Sequence, residues 1–386
     1  MLYFDNASTT EVDPRYRELI LNNLFNTYGN PGSIHHFGMK SKEILDSARL
    51  QVAIALNAKP DNVVFTSSGS EANTLAILGM AEHLKKYKLN HIITSKYEHH
   101  SVLNAMKEME RQGFDVTYLD VPNGLVNYDD FVAAVRDDTG FVSIMYINNE
   151  LGTKNDLSRI YEFCRHREII FHSDCVQAVG SAVVKLGVTA DMITISGHKI
   201  HAPKGVGCLC TLYKDFLTNV ICGGQQEFGL RPGTENVAFI AAFGQAMYNI
   251  TRELSTINYK VKLASMAFGG RLVRGCTEND IQFACNTSSP SNTDKIISVR
   301  FDGIDAETLV IMLGERGLCV SSGAACSSHS SEPSHVLKAI GLTDEEARST
   351  IRVSFSDYNT VKEAYEAVEI LIDCLKLLKN IGEVDG

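Results

Sequence analysis

Proline is scarce in this sequence, with 8 residues in 386, and no apolar run approaches the roughly 18 residues that a membrane-spanning helix needs. Met1 to Asn6 show no basic stretch leading into an apolar core, so no export signal is expected. Cations are in deficit: 36 Lys and Arg against 46 Asp and Glu give a net charge of −10. That balance disfavours direct nucleic-acid binding and attachment to anionic membranes. The ten cysteines follow no framework spacing, and without an export signal they are expected to be reduced thiols in a cytoplasmic chain. What is present is an ordinary globular balance, 44% hydrophobic and 21% charged, which excludes a disordered or collagen-like chain. At about 100–200 residues per domain, the length predicts two domains.

From about residue 40 to 250, short apolar runs alternate with segments of helical period. Strands are expected over 61–66, 91–95, 114–119, 141–147, 168–172, 191–196 and 206–212, and helices over 71–87, 101–112, 128–135 and 157–165. Strands apolar on both faces and separated by helices predict an α/β fold: a large domain, residues 16–250, with a mainly parallel mixed sheet between helices. Residues 236–266 read as one long connecting helix. The remainder predicts a smaller α+β domain formed by residues 1–15 and 251–386. The Ser/Gly-rich stretch 321–334 reads as a loop. Cys208 and Cys210 would face the same way on one strand, and no second Cys/His pair at ligand spacing supports a metal there.

Ligands of open α/β sheets bind beyond the carboxyl ends of the strands. The residues there are informative together rather than singly. Ser67-Ser68-Gly69-Ser70-Glu71 leads into a helix, and it suits either a plain N-cap or an anion cup. It fits neither of the common glycine-rich nucleotide motifs. The following strands end near His99, Asn149, Asp174 with Gln177 three residues on, and Ser196-Gly197-His198-Lys199. An anion cup, a flat imidazole, a carboxylate to pair a pyridine nitrogen and a lysine to carry a Schiff base are the groups that pyridoxal 5'-phosphate requires.

With these motifs in place, the chain resembles, nearly end to end, the cysteine desulfurases of the NifS/IscS kind in the class V aminotransferase superfamily. The resemblance also rests on Tyr3 to Thr10, Asn30 to His35, Arg231-Pro232-Gly233-Thr234-Glu235-Asn236 and Ser321-Ser322-Gly323-Ala324-Ala325-Cys326. It implies that Lys199 carries the cofactor, Asp174 holds the pyridine nitrogen, Gln177 the ring hydroxyl, and that His99 stacks on the ring and shuttles protons. Gly69, Ser70, Ser196 and His198 would form the phosphate site, with Thr234 reaching it from the partner subunit of a homodimer. Asn149 and Arg352 would face the substrate L-cysteine, and Cys326 would accept its sulfur as a persulfide. Three positions depart from the family pattern: Ala202 where Gly is expected, Phe228 for Arg, and Cys175 for Ala.

The sulfur would pass from Cys326 to an acceptor protein such as an iron–sulfur scaffold, with Cys326 itself a transient cluster ligand there. The alternatives are a selenocysteine lyase or an aminotransferase of the same superfamily and, in a different class, a non-enzymatic protein holding a metal or cluster.

Overall fold

A computed structural model describes residues 1–287, 291–322 and 332–384. Its centre is a seven-stranded sheet in the order Val63–Thr66, Gly207–Thr211, Met192–Ser196, Ile170–Asp174, Thr139–Ser143, His91–Ser95, Asp115–Leu119. All neighbouring strands are parallel except Gly207–Thr211, which runs against both of its partners. Six of the seven strands are buried end to end, and only Asp115–Leu119 at the edge is partly open. That two-sided burial follows from helices on both faces.

Helices His36–Ala55 and Val237–Arg252 cover one face, where Val52, Leu56, Phe65, Phe171 and Phe243 share a core. Helices Gly69–Leu78 and His100–Arg111 cover the other, with Leu75, Ile77, Ile92 and Met106 beneath them. Cys208 and Cys210 belong to the first core and Leu209 to the second, as strand alternation requires.

A second, three-stranded antiparallel sheet pairs Ile296–Phe301 with Thr350–Ser354 on one side and Phe283–Cys285 on the other. Its core contains Phe4, Phe268, Phe301, Val353 and Phe355, and the Phe4 ring meets Phe355 edge-on at 5.4 Å. The chain therefore starts beside the second sheet: Leu2–Tyr3 pairs in parallel with Leu318–Cys319, and residues 5–10 then cross to the end of the first sheet. Among the described residues, no helix is long and apolar enough to cross a membrane.

The expected elements are in place with local corrections. The helix expected over 71–87 is two, Gly69–Leu78 and Ala81–Lys86. It breaks because the Gly79 carbonyl accepts hydrogen bonds from the Thr218 amide, at 2.9 Å, and the Thr218 hydroxyl, at 3.1 Å, instead of continuing the ladder. The connector over 236–266 is likewise two helices, Val237–Arg252 and Leu254–Glu278, and it runs a dozen residues further than its periodicity suggested. The strand expected over 141–147 stops at Ser143, and the one over 168–172 extends to include Asp174. Cys326 lies outside the described residues, as does most of the 321–334 loop.

Candidate active site

The carboxyl ends of the parallel strands surround a cavity of about 390 Å³. Its lining includes Gly69, Ser70, His99, Asn149, Asp174, Gln177, Ser196, His198, Lys199 and Arg352, so ten positions singled out from the sequence meet in one place.

The cup is a helix start. Ser68 caps Gly69–Leu78 by accepting the Glu71 amide hydrogen at 3.2 Å, which leaves the first amides of that helix and its positive end at the cavity. Gly69 is required here because a Cβ would lie 2.9 Å from Val176 Cγ2 and 3.3 Å from Ser196 Cβ. Glu71 braces the loop from below. Burial would raise its pKa, but hydrogen bonds from Ser67 and the nearby Arg231 guanidinium, 2.9 Å away, hold it below the ordinary value.

Asp174 ends its strand with both oxygens engaged: Oδ2 accepts from Asn73 Nδ2 at 2.7 Å and Oδ1 from the Val176 amide at 2.9 Å. Asn73 also donates to Ser101 Oγ at 2.9 Å, and Ser101 Oγ is 2.8 Å from His99 Nδ1. A chain of side chains thus runs from the carboxylate to the imidazole. The Ser101 amide donates to His99 Nδ1 at 3.1 Å, so in the neutral ring the hydrogen is on Nε2. Burial lowers the His99 pKa, with Lys199 and His100 adding to the fall and Asp174 opposing it. His198, which meets Thr9 Oγ1 at 3.2 Å, is pushed down to about 4, chiefly by burial.

Lys199 sits in a short turn after Met192–Ser196, and its Nζ donates to the Ala7 and Ser8 carbonyls at 2.6 Å each. Gln177 Nε2 donates to the same Ala7 carbonyl at 2.8 Å. Arg352 is 3% exposed and is gripped by the Asn149 carbonyl at 2.9 Å, Asp5 Oδ1 at 3.0 Å and Ser8 Oγ at 2.6 Å. Residues 5–8 therefore clasp both cationic groups of the cavity. Sequence reasoning did not assign them a contact, nor did it assign Asn73 and Ser101. The one signal for Asn73 was its place one helical turn after Gly69, on the side of the helix that covers the sheet.

Two buried carboxyl groups sit beside the site. Glu98 accepts from Ser95 Oγ at 2.6 Å and from the Met145 amide at 2.9 Å, and burial still raises its pKa to about 8. Glu150, which lines the cavity, accepts from Ser334 Oγ at 2.5 Å, and burial raises it to about 7 against the opposing pull of Ser334 and Arg352. A carboxyl raised above its ordinary 4.5 favours the protonated form in the folded state, so its contribution to stability falls as pH rises from 4.5 towards 7. Glu150→Gln is expected to gain on the native protein by about 1.4 kcal/mol per pH unit across that window. Urea unfolding of both proteins from about pH 5 to about pH 8 checks this, and a difference independent of pH would contradict it.

Thr234 does not line this cavity within one chain; it lines a separate recess with Thr66, Ser67 and Arg231. At the positions that depart from the family pattern, His201 takes the left-handed conformation, φ 62°, and Ala202 is fully buried in the core. The Phe228 ring receives two cations, Lys214 Nζ at 4.1 Å and the Arg49 guanidinium at 5.3 Å.

Comparison with known proteins follows the same lines. The family model for aminotransferase class-V matches residues 2–366. The cysteine desulfurase IscS of Actinobacillus succinogenes is 39% identical over 388 residues, 99% of this chain and 94% of that protein. A solved NifS-like protein superposes with a TM-score of 0.89 at 32% identity, covering 98% of this chain and all of the other. A structure described as SspA in complex with cysteine has a TM-score of 0.79 at 33% identity over 93% of this chain and all of the other. The chain belongs to the class V aminotransferases, a family of pyridoxal-phosphate enzymes. Within that family its place is among the cysteine desulfurases.

Proposed function

We propose that the 390 Å³ cavity binds pyridoxal 5'-phosphate and L-cysteine, and that the enzyme passes the substrate sulfur to Cys326 as a persulfide. The observation that carries this reading is the meeting of Lys199, Asp174 and the Gly69–Ser70 helix start on one cavity. The fit is supported by two buried acceptors on its wall, Gln177 Oε1 and Asn149 Oδ1, that lack a partner. Groups of this kind cost free energy until a ligand meets them.

When bound, the cofactor supplies an electron-withdrawing ring that acidifies the substrate α-carbon and labilises the β-carbon–sulfur bond. Lys199 tethers the cofactor, which requires its amine to leave the Ala7 and Ser8 carbonyls, and it then moves the α-carbon proton. Asp174, held by Asn73 and Val176, keeps a proton at the pyridine nitrogen. His99 stacks on the ring. Because its Nδ1 is occupied by Ser101, it exchanges protons through Nε2. Gln177 faces the ring hydroxyl, while Ser70, Ser196 and His198 hold the phosphate. Arg352 takes the substrate carboxylate: its Nε is a buried donor without a partner, and Asn149 lies beside it.

The chain works as a homodimer in which Thr234 serves the neighbour's phosphate site. Supporting this, Phe25 and Tyr28 are 70% exposed and Ile34 is 95% exposed, with Phe37 and Met39 open close by in sequence, an apolar surface suited to a second copy. Residues 16–250 form the cofactor domain, with 1–15 and 251–386 as the smaller one. The acceptor is a protein such as an iron–sulfur scaffold. The enzyme acts in the cytoplasm, in keeping with nine described cysteines that are all free thiols.

Cys326→Ala tests the sulfur route. Sulfide release from L-cysteine in the presence of a reductant is expected to fall about a hundredfold or more, because Cys326 is the nucleophile that takes the sulfur. The change in visible absorbance on adding cysteine should persist, since the ring chemistry precedes the transfer. Full sulfide release by this variant would favour the lyase or aminotransferase reading.

A further inference from the structure

A second cavity, of about 180 Å³, lies between residues near the first sheet and residues leading into the second. It is separate from the cofactor cavity, with which it shares only the wall residue Ile147. Lys295 lines it and is 8% exposed. The backbone of Lys295 is fixed, its amide donating to Thr293 Oγ1 at 2.9 Å and its carbonyl accepting from the Phe355 amide at 2.8 Å. Among the described residues, no hydrogen bond or ion pair holds its Nζ. Two more groups on the same wall, Ser181 Oγ and Asn292 Oδ1, are buried without a partner.

Buried polar groups in folded proteins are nearly all satisfied, and a buried unpaired ammonium is the costliest exception. Two buried partnerless atoms and a lysine without a hydrogen bond on its ammonium, all on one hollow, are therefore a recognition pattern rather than packing faults. The hollow also exceeds the share of about 30 Å³ that one water takes in the liquid. Its chemistry is specific. Lys295 and Ser181 offer hydrogens to an anion, whereas Asn292 Oδ1 needs a hydrogen from the ligand. The Asn292 amide is oriented by Nδ2, which donates to Thr287 Oγ1 at 2.7 Å. A carboxylate or a sulfate has no hydrogen to give at neutral pH; a protonated phosphate has both functions. Lys154 and Asp294 also border the hollow from exposed positions and roughly offset each other.

We propose that this hollow is a phosphate-binding site, in which Lys295, Ser181 and Asn292 hold inorganic phosphate or the terminal group of a small phosphomonoester. Burial pushes the Lys295 pKa down to about 8, with the field of Asp357 opposing the fall, so the ammonium is still charged at neutral pH. Nothing in the desulfurase reaction uses these residues, so the site is additional to it.

The test is calorimetric titration of the cofactor-loaded enzyme, whose active-site phosphate cup is already filled, at pH 7 and constant ionic strength. Inorganic phosphate and glycerol 3-phosphate are the two probes, and the tighter of them identifies the source. One saturable site per chain is expected. Sulfate should bind at least threefold more weakly, Lys295→Met should weaken the better probe at least tenfold, and Ser181→Ala at least threefold. Absence of a saturable site, sulfate binding as tightly as the better phosphate probe, or native affinity in the variants would overturn the proposal. If Lys295→Met does not fold, Ser181→Ala decides. Cofactor loading is read separately from visible absorbance, so failure here leaves the desulfurase reading untouched.

Discussion

Lys199→Ala is expected to lower alanine formation from L-cysteine by about 10³-fold or more, since a positioned proton-transfer group alone is worth about 10²–10⁴. The same side chain also tethers the cofactor, so the two losses act on one residue and will not separate additively. The protein itself should remain folded. Lys199 Nζ donates to the Ala7 and Ser8 carbonyls, which can turn to water or to the cofactor when the amine is gone. The cup at Gly69–Ser70 and the Asp174 carboxylate stay in place, so the variant should still take up cofactor, without the absorbance of a protein-bound Schiff base. Amino-acid analysis of the product, with far-ultraviolet circular dichroism as the folding control, gives the result. Activity within tenfold of the native enzyme would remove Lys199 from the reaction.

The largest stability effect is expected at a pair outside the cavity. Arg49 and Glu227 form a buried two-pronged ion pair, with Nη2 to Oε1 at 2.6 Å and Nη1 to Oε2 at 2.8 Å. Arg49 also donates to the Val63 carbonyl at 2.6 Å, and the Phe65 amide donates to Glu227 Oε2 at 2.8 Å. The pair thereby ties the edge strand Val63–Thr66, which leads into the anion cup, to the segment carrying Phe228. Glu227 and Phe228 both hold positive φ, 46° and 62°, an arrangement that costs free energy and persists only while the carboxylate anchors it. Glu227→Ala strands the Arg49 charge and is expected to lose about 3–5 kcal/mol in urea unfolding. Replacing both partners with apolar residues, Arg49→Met with Glu227→Leu, should lose markedly less, because no charge is left buried alone. A double substitution as damaging as the single one would show that packing, not the charge, matters there.

How far these sites were legible in the sequence differs from residue to residue. Lys199, Asp174, His99 and the Gly69–Ser70 cup follow short apolar strands, so strand periodicity alone places them at one edge of a parallel sheet. Glu227 and Arg49 gave no such signal. They are 178 positions apart, and neither charge announces that it will be buried. Breaks inside helices were equally hidden, since the Gly79 carbonyl is drawn off the ladder by Thr218, a residue 139 positions later. The same holds for Lys295, whose buried ammonium looks in the sequence like any lysine before a strand.

Local pattern, then, determined the alternation of strands and helices, the edge at which ligands gather and the chemical types gathered there, because period and turn chemistry act over a few residues. Only tertiary structure decided that residues 5–8 cross from the second sheet to hold Lys199 and Arg352, that Asn73 and Ser101 connect Asp174 to His99, and that Ser181 and Asn292, each with a partnerless buried atom, line one hollow with Lys295. Those facts depend on desolvation and on partners far away in sequence, and neither is encoded in the spacing of neighbouring residues.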